Sequence, residues 1–147
     1  MYMKLLKLFW VIPVIIIISY LLFSKTGPIQ SAHFKKILLS DPIVPQLNAE
    51  CTYFKPSRFL GTTNPHLSCQ TIKRFDDLGQ VVEIERLQNV LELNGWKLTE
   101  KYNPKAITYR KDKLRFNAQP YWGETGLEKN ENPELLIYFG YEILADY

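Results

Sequence analysis

The sequence predicts an α+β protein with an N-terminal transmembrane helix, a tether, and one helix packed on an antiparallel sheet of about four to five strands. Three observations predict this class. Residues 8–23 are uncharged, residues 76–95 place apolar side chains at helical spacing, and the chain after Gly95 alternates apolar with polar residues. The expected organisation is a signal-anchor at 1–25, a tether at 26–48 and an extracytoplasmic α+β domain at 49–147.

The first element is the uncharged run "LFWVIPVIIIISYLLF". As a helix it is about 24 Å long, against a hydrocarbon core of about 30 Å. Leu5 and Leu6 extend the run, and Lys7 and Lys25 can place their ammonium groups at the two membrane interfaces. We therefore expect the chain to contact a membrane through residues 5–24.

A cleaved signal peptide is the alternative for the same run, and it needs a small residue three positions before the cut. Cleavage after Ser24 would put Leu22 at that position, and cleavage after Ala32 would put Gln30 there. Because neither cut fits, we predict that the anchor is retained.

Two features bear on the orientation of the anchor. Lysines flank the run on both sides, so the positive-inside rule gives only a small bias. Cys51 and Cys69 are the two cysteines of the chain, and an even, low count in an exported domain indicates a disulfide. We expect an inner-membrane protein with its N-terminus in the cytoplasm and its C-terminal domain in the periplasm or outside. Two free thiols in a cytoplasmic domain are the alternative.

The tether contains "SAHFKKILLSDP", which could form a short amphipathic helix. Asp41-Pro42 and Val44-Pro45 then interrupt it, because the residue before a proline is driven out of the α region. The folded domain is expected to begin near Ala49.

Two short strands, at 51–55 and 68–75, precede the predicted helix. Asp76 or Asp77 can cap its N-terminus, and Gly95 can accept the left-handed conformation that ends it. The apolar side chains that recur at helical spacing, and so form one face, are Val81, Ile84, Leu87 and Leu91.

After this helix the period of the pattern changes to two, which is typical of antiparallel strands with one solvated face. Residues 135–144 are apolar on both faces, so they predict a central or doubly covered strand. The order of elements is a β-α-β-β-β-β meander, and this order resembles the layout of cystatin-like folds. The last four strands are expected at 96–102, 106–110, 114–118 and 135–144.

The net charge of +3 comes wholly from residues 1–25, since the rest of the chain has 15 basic and 15 acidic residues. A neutral domain lacks the basic surface that nucleic acid requires, so no nucleic-acid partner is expected. The charges are nevertheless separated along the chain. Residues 97–115 carry seven basic and two acidic groups, whereas residues 116–147 carry one basic and six acidic groups.

This separation of charge has two interpretations. Neighbouring strands could pair the two signs across the sheet, or a bipolar surface could orient a charged protein partner. The predicted strands are also rich in aromatic residues, which anchor protein interfaces well. The candidate partner-binding residues are Lys111, Lys113, Arg115, Tyr109, Tyr121 and Trp122.

The sequence contains no pattern that specifies a reaction. His66 precedes Cys69 by three residues, but a nucleophile–base pair or a metal site needs further groups that the spacing does not supply. No enzymatic activity, metal or cofactor is therefore expected. The predicted function is an anchored protein-interaction domain, such as a small envelope immunity or inhibitor protein, or an accessory subunit of an envelope complex. The alternative is a small-molecule or lipid carrier with a pocket between helix and sheet.

Overall fold

The computed structural model of the 147-residue chain describes residues 2–24, 27–56, 64–102, 105–121 and 133–143. Its helices are α1 (Tyr2–Phe23), α2 (Pro28–Ser40) and α3 (Asp77–Leu93), with a 3₁₀ turn at Val44–Gln46. Its strands are β1 (Ala49–Phe54), β2 (His66–Thr71), β3 (Lys97–Tyr102), β4 (Ala106–Lys111), β5 (Leu114–Tyr121) and β6 (Glu134–Tyr141).

Helix α1 is longer than the uncharged run because it also includes residues 2–7. Its 22 residues are about 33 Å long, which reaches the thickness of a hydrocarbon core of about 30 Å. The side chains of residues 10–23 are largely uncovered by protein. Among the described residues, there is one candidate for a membrane-spanning helix by length and composition. It lies near the N-terminus, within Trp10–Ser40.

Helix α2 belongs to the folded domain, which corrects the prediction of a tether at 26–48. Phe34 and Leu38 are one helical turn apart, and both are buried in the core. Ile43 and Leu47 flank the 3₁₀ turn and are fully buried in the same core. Because these side chains close the core beside the sheet, the domain begins at about Pro28 rather than near Ala49.

Gly27 holds α1 and α2 close together. A Cβ atom at this position would lie 2.5 Å from the carbonyl oxygens of both Leu21 and Leu22, so the close approach requires glycine. Its N–H donates to the carbonyl of Ser24 (2.7 Å), and its own carbonyl accepts from the N–H of Ser31 (2.9 Å). The start of α2 therefore lies close to the end of α1.

Helix α3 confirms the predicted helix and its caps. The Asp76 side chain accepts a hydrogen bond from the N–H of Gly79 at 2.7 Å, which satisfies one free donor of the first turn. At the other end, Gly95 has φ +80°, a conformation that glycine adopts without strain. The side chains that α3 buries in the core are Ile84, Leu87 and Leu91.

The sheet has six strands, in the order β1-β2-β6-β5-β4-β3, and every neighbouring pair is antiparallel. The α+β class is confirmed, while the prediction of four to five strands is wrong. Strands β3 to β6 form the expected meander. The β1–β2 hairpin then adds two strands, because β2 pairs with the free side of β6. Strand β6 is therefore central, as its apolar sequence predicts.

One face of this sheet carries the core. Leu67, Ile137, Phe116 and Ile107 come from four neighbouring strands, and each is at most 1% exposed. They pack with the apolar side of α3 and with α2 and the 3₁₀ turn in one cluster. The two helices and the turn therefore cover a single face of the sheet, which we call the covered face.

Candidate functional site

Among the described elements, none covers the opposite face of the sheet, which we call the open face. The strand registers arrange its side chains in rows across the sheet, because every second residue of a strand points to the same side. One row runs through Thr52, Ser68, Tyr138, Asn117 and Thr108. The next row runs through Phe54, His66, Gly140, Arg115 and Arg110.

Three aromatic rings meet on this face at the side of β1. The ring of Phe54 stacks on the ring of His66, with centroids 5.0 Å apart and planes 15° from parallel. Tyr138 follows at 6.0 Å from His66, with a tilted ring. Phe54 is 47% exposed and Tyr138 is 40% exposed. The cluster therefore offers aromatic surface to solvent.

A depression of about 290 Å³ lies beside the aromatic cluster. Gly140 forms part of its lining between His66 and Arg115, and the absence of a side chain there leaves the space open. A Cβ at Gly140 would lie 3.2 Å from the Cβ of His66, so a larger residue would crowd this wall. The remaining lining residues are polar or aromatic: Asn64, Asn117, Tyr138, Tyr141 and Glu142.

A second, larger depression of about 480 Å³ lies over β1 and β2 on the same face. Its charged lining residues are Glu50 and Glu134, and none of its lining residues is basic. Glu134 accepts a hydrogen bond from Gln70 and lies 3.7 Å from the guanidinium of Arg74. This end of the open face is therefore acidic.

The disulfide joins β1 and β2 at the acidic end of the open face. Cys51 and Cys69 lie directly opposite each other in the β1–β2 pair, with Cα atoms 4.0 Å apart. Cys69 is fully buried on the covered face. The bridge fixes the hairpin that carries Phe54 and His66, and it leaves Cys69 without the free thiol that a nucleophile requires.

The basic candidate residues lie at the far end of the β4–β5 pair, where ion pairs neutralise several of them. Lys111 lies 3.9 Å from the buried carboxylate of Asp41. Arg115 lies 3.7 Å from Glu142, which also pairs with Arg110 at 3.3 Å. The acidic C-terminal segment thus meets the basic segment on the open face, as the charge-pairing interpretation requires.

Lys113 lies in the turn between β4 and β5, next to Asp112, whose φ is +52°. Its backbone carbonyl accepts a hydrogen bond from the N–H of Glu142 at 2.7 Å. The tip of this hairpin is therefore joined to the end of β6, and it does not project alone into solvent.

The aromatic candidates have different positions. Tyr109 was expected at a binding surface, but it is fully buried on the covered face. Its hydroxyl donates to Glu92 at 2.8 Å, and burial, followed by this hydrogen bond, raises the pKa of Tyr109. Tyr121 is half-buried and lies opposite Glu134 at the end of β5. Trp122 lies outside the described residues.

The exposed aromatic cluster is not evident from the sequence as a candidate site. Phe54 and Tyr138 fall in two separate predicted strands, 51–55 and 135–144, and His66 falls outside the predicted strands. The three residues meet only because β2 pairs with β6, whose paired residues lie 66–74 positions later in the chain. Among the described residues, no group of three or more histidine, cysteine, aspartate or glutamate side chains could hold a metal ion.

The fold and this face define a class of protein: an α+β domain with an open-faced antiparallel sheet, joined to a helix that is long and apolar enough to span a membrane. No protein-family model, curated protein or solved structure significantly matches the chain.

Proposed function

We propose that this chain is a membrane-anchored, non-catalytic binding domain whose open face receives a protein partner outside the cytoplasm. One observation carries the proposal. The same sheet is closed by helices on one side, while on the other side it exposes Phe54 and Tyr138 among polar and charged side chains. Tyrosine and other large aromatic residues supply much of the binding energy of protein interfaces.

The position of the domain next to α1 supports a partner at the membrane surface. Gly27 lies close to the end of α1, and Phe34 and Leu38 are already buried in the domain, so few residues separate the helix from the domain. The Cys51–Cys69 disulfide supports an oxidising compartment. We therefore propose an inner-membrane anchor with the N-terminus in the cytoplasm and the domain in the periplasm or outside.

A carrier with a pocket between helix and sheet is less well supported. The side chains between α3 and the sheet, including Ile84, Leu87 and Phe139, are at most 1% exposed and pack together in one cluster. The two depressions described above lie on the open face instead. This arrangement favours a protein-binding surface, in the role of an immunity or inhibitor protein or of an accessory subunit.

The test is affinity capture of the full chain from crosslinked membranes, followed by mass spectrometry. Three versions are compared: the unaltered chain, Tyr138→Ser on the open face, and Leu93→Ser on α3. Leu93 is 87% exposed, so its substitution is a matched loss of exposed hydrophobic surface. We expect a partner that is retained by Leu93→Ser and lost from Tyr138→Ser. Equal recovery by both variants would contradict a role for the open face.

The anchor itself is tested by sequencing the N-terminus of the mature protein and by alkaline extraction of membranes. We expect a chain that begins near Met1 and resists extraction. A mature N-terminus anywhere in 25–33 would show that the segment is a cleaved signal.

A further inference from the structure

We infer that the free edge of β1 is a strand-addition site for an extended segment of the partner, which carries a basic residue and, four positions away, an apolar residue. This inference rests on the proposed function, because it names the chemistry of the partner at one border of the open face. Strand addition supplies backbone hydrogen bonds, and side chains at alternate positions supply specificity.

The backbone of β1 is oriented for such pairing. In antiparallel sheets, residues whose Cα atoms are about 4.5 Å apart direct their N–H and C=O groups away from each other's strand. Cys51 and Cys69 have Cα atoms 4.0 Å apart and so form a pair of this kind. By alternation, Ala49 and Tyr53 share this orientation. The backbone groups of these three β1 residues therefore point to the edge, where no described strand pairs with them.

The two edges of the sheet differ in how they are protected. Edge strands commonly avoid unwanted pairing through lysines, other charges and bulges. Strand β3 has these features: Lys97, Glu100 and Lys101, and a register irregularity between Leu98 and Glu100. Strand β1 has an unbroken register with β2 and no lysine or proline. Only Glu50 gives β1 a charge.

The disulfide makes β1 a more rigid edge for strand addition. A six-residue edge strand has one neighbour, so its pairing would open more easily than that of a central strand. The covalent bridge joins the middle of β1 to β2 and limits that opening. A rigid edge loses less entropy when a segment binds than a fluctuating edge does.

The side chains of β1 indicate what the segment carries. Glu50 and Phe54 lie on the same face, four residues apart, and both line the acidic depression. Among the described residues, Glu50 has no ion pair, so it can accept a lysine or arginine from the added strand. Phe54, which is 47% exposed, offers an aromatic surface to an apolar side chain. A partner segment with a basic and an apolar residue four positions apart would pair with Glu50 and contact Phe54.

The test uses the full chain in detergent micelles and a synthetic seven-residue peptide of β-branched residues, with a lysine and a leucine four positions apart. Amide hydrogen exchange is followed at Ala49, Cys51 and Tyr53. At a peptide concentration ten times its Kd, we expect exchange of these amides to slow about tenfold. A peptide that is N-methylated at the nitrogens facing the edge should give no protection, because it cannot donate those hydrogen bonds.

Charge exchange tests the specificity. Glu50→Lys should weaken binding of the lysine peptide and strengthen binding of a peptide with glutamate in place of that lysine. Glu100→Lys, the same change on β3, should leave both affinities unaltered. Equal binding of the N-methylated peptide, or protection at β3 instead of β1, would overturn the proposal. So would protection that grows with protein concentration without peptide, because a second copy would then occupy the edge.

The outcomes separate this inference from the proposed function. Capture that is lost in Tyr138→Ser but unaffected by Glu50→Lys would leave the open face as the binding surface and overturn the edge site alone. Peptide protection at β1 together with capture unaffected by Tyr138→Ser would support the edge and contradict the role of the open face.

Discussion

The covered and open faces of the sheet are built from the same strands, yet they have opposite physical characters. In β6, Ile137 and Phe139 are fully buried against the helices, while Tyr138 between them is 40% exposed. Burial against the rest of the fold accounts for the apolar residues of the covered face. It does not account for the exposed rings of Phe54 and Tyr138. Aromatic surface that a fold leaves exposed is available to a partner, which is why we propose that this face binds one.

The largest effect that can test this comparison comes from two adjacent residues of β6. Phe139→Ala should lower the free energy of unfolding by about 3–5 kcal/mol, because it removes a fully buried ring and leaves a cavity. Tyr138→Ala should lower it by about 1 kcal/mol or less, since the ring is partly solvated. Urea denaturation measures both. Similar losses from both substitutions would show that the two faces do not differ as described.

The disulfide should have the next largest effect. In the chain-entropy model, a loop of this size contributes about 3 kcal/mol, so the double change Cys51→Ser and Cys69→Ser should lower stability by roughly that amount. The same change should weaken partner capture, because the hairpin carries Phe54 and His66 of the open face. Mass mapping without reductant should find Cys51 linked to Cys69. Two free thiols in the native protein would rule out the bridge and weaken the argument for export.

A smaller effect is expected from the basic turn. The double reversal Lys111→Glu and Lys113→Glu should lower stability by about 1 kcal/mol, since Lys111 lies close to Asp41. If the turn also steers a partner, association should slow, and the effect should shrink as salt rises because charges are screened over about 10 Å at 0.1 M. Lys97→Glu with Lys101→Glu on β3 is the control of equal charge. Unchanged association rates in both variants would show that Lys111 and Lys113 do not steer a partner.

The smallest effect concerns the pH dependence of the covered face. Burial raises the pKa of Tyr109 in the folded chain above its unfolded value of about 10. The neutral hydroxyl therefore contributes its full stability below pH 10. This contribution is lost as the pH rises towards the folded pKa, because the unfolded chain ionises first. Tyr109→Phe should therefore show a shallower loss of stability than the unaltered chain as the pH rises above about 10. Identical pH profiles for the two proteins would contradict this burial of the hydroxyl.

The separation of basic and acidic residues along the chain is evident from the sequence, but its consequence depends on which strands are neighbours in the fold. The basic and acidic segments are separate along the chain, but Glu142 brings them together through Arg110 and Arg115. This contact supports neutralisation within the sheet over a bipolar surface. Sequence separation says nothing about which strands are neighbours, so the two interpretations could not be distinguished beforehand.

The sequence by itself determined the elements whose causes are local. Helix α3 follows from its cap at Asp76, its apolar spacing and Gly95. Strands β3 to β5 follow from alternation between turns, and β6 follows from its continuous apolar run. The length and composition of α1 likewise depend only on nearby residues. Tertiary structure alone decided the placement of β2 beside β6, the burial of α2 and the meeting of Phe54, His66 and Tyr138. These features depend on contacts between segments distant in the chain. A periodic pattern shows which residues share a face, but it does not show which element covers that face.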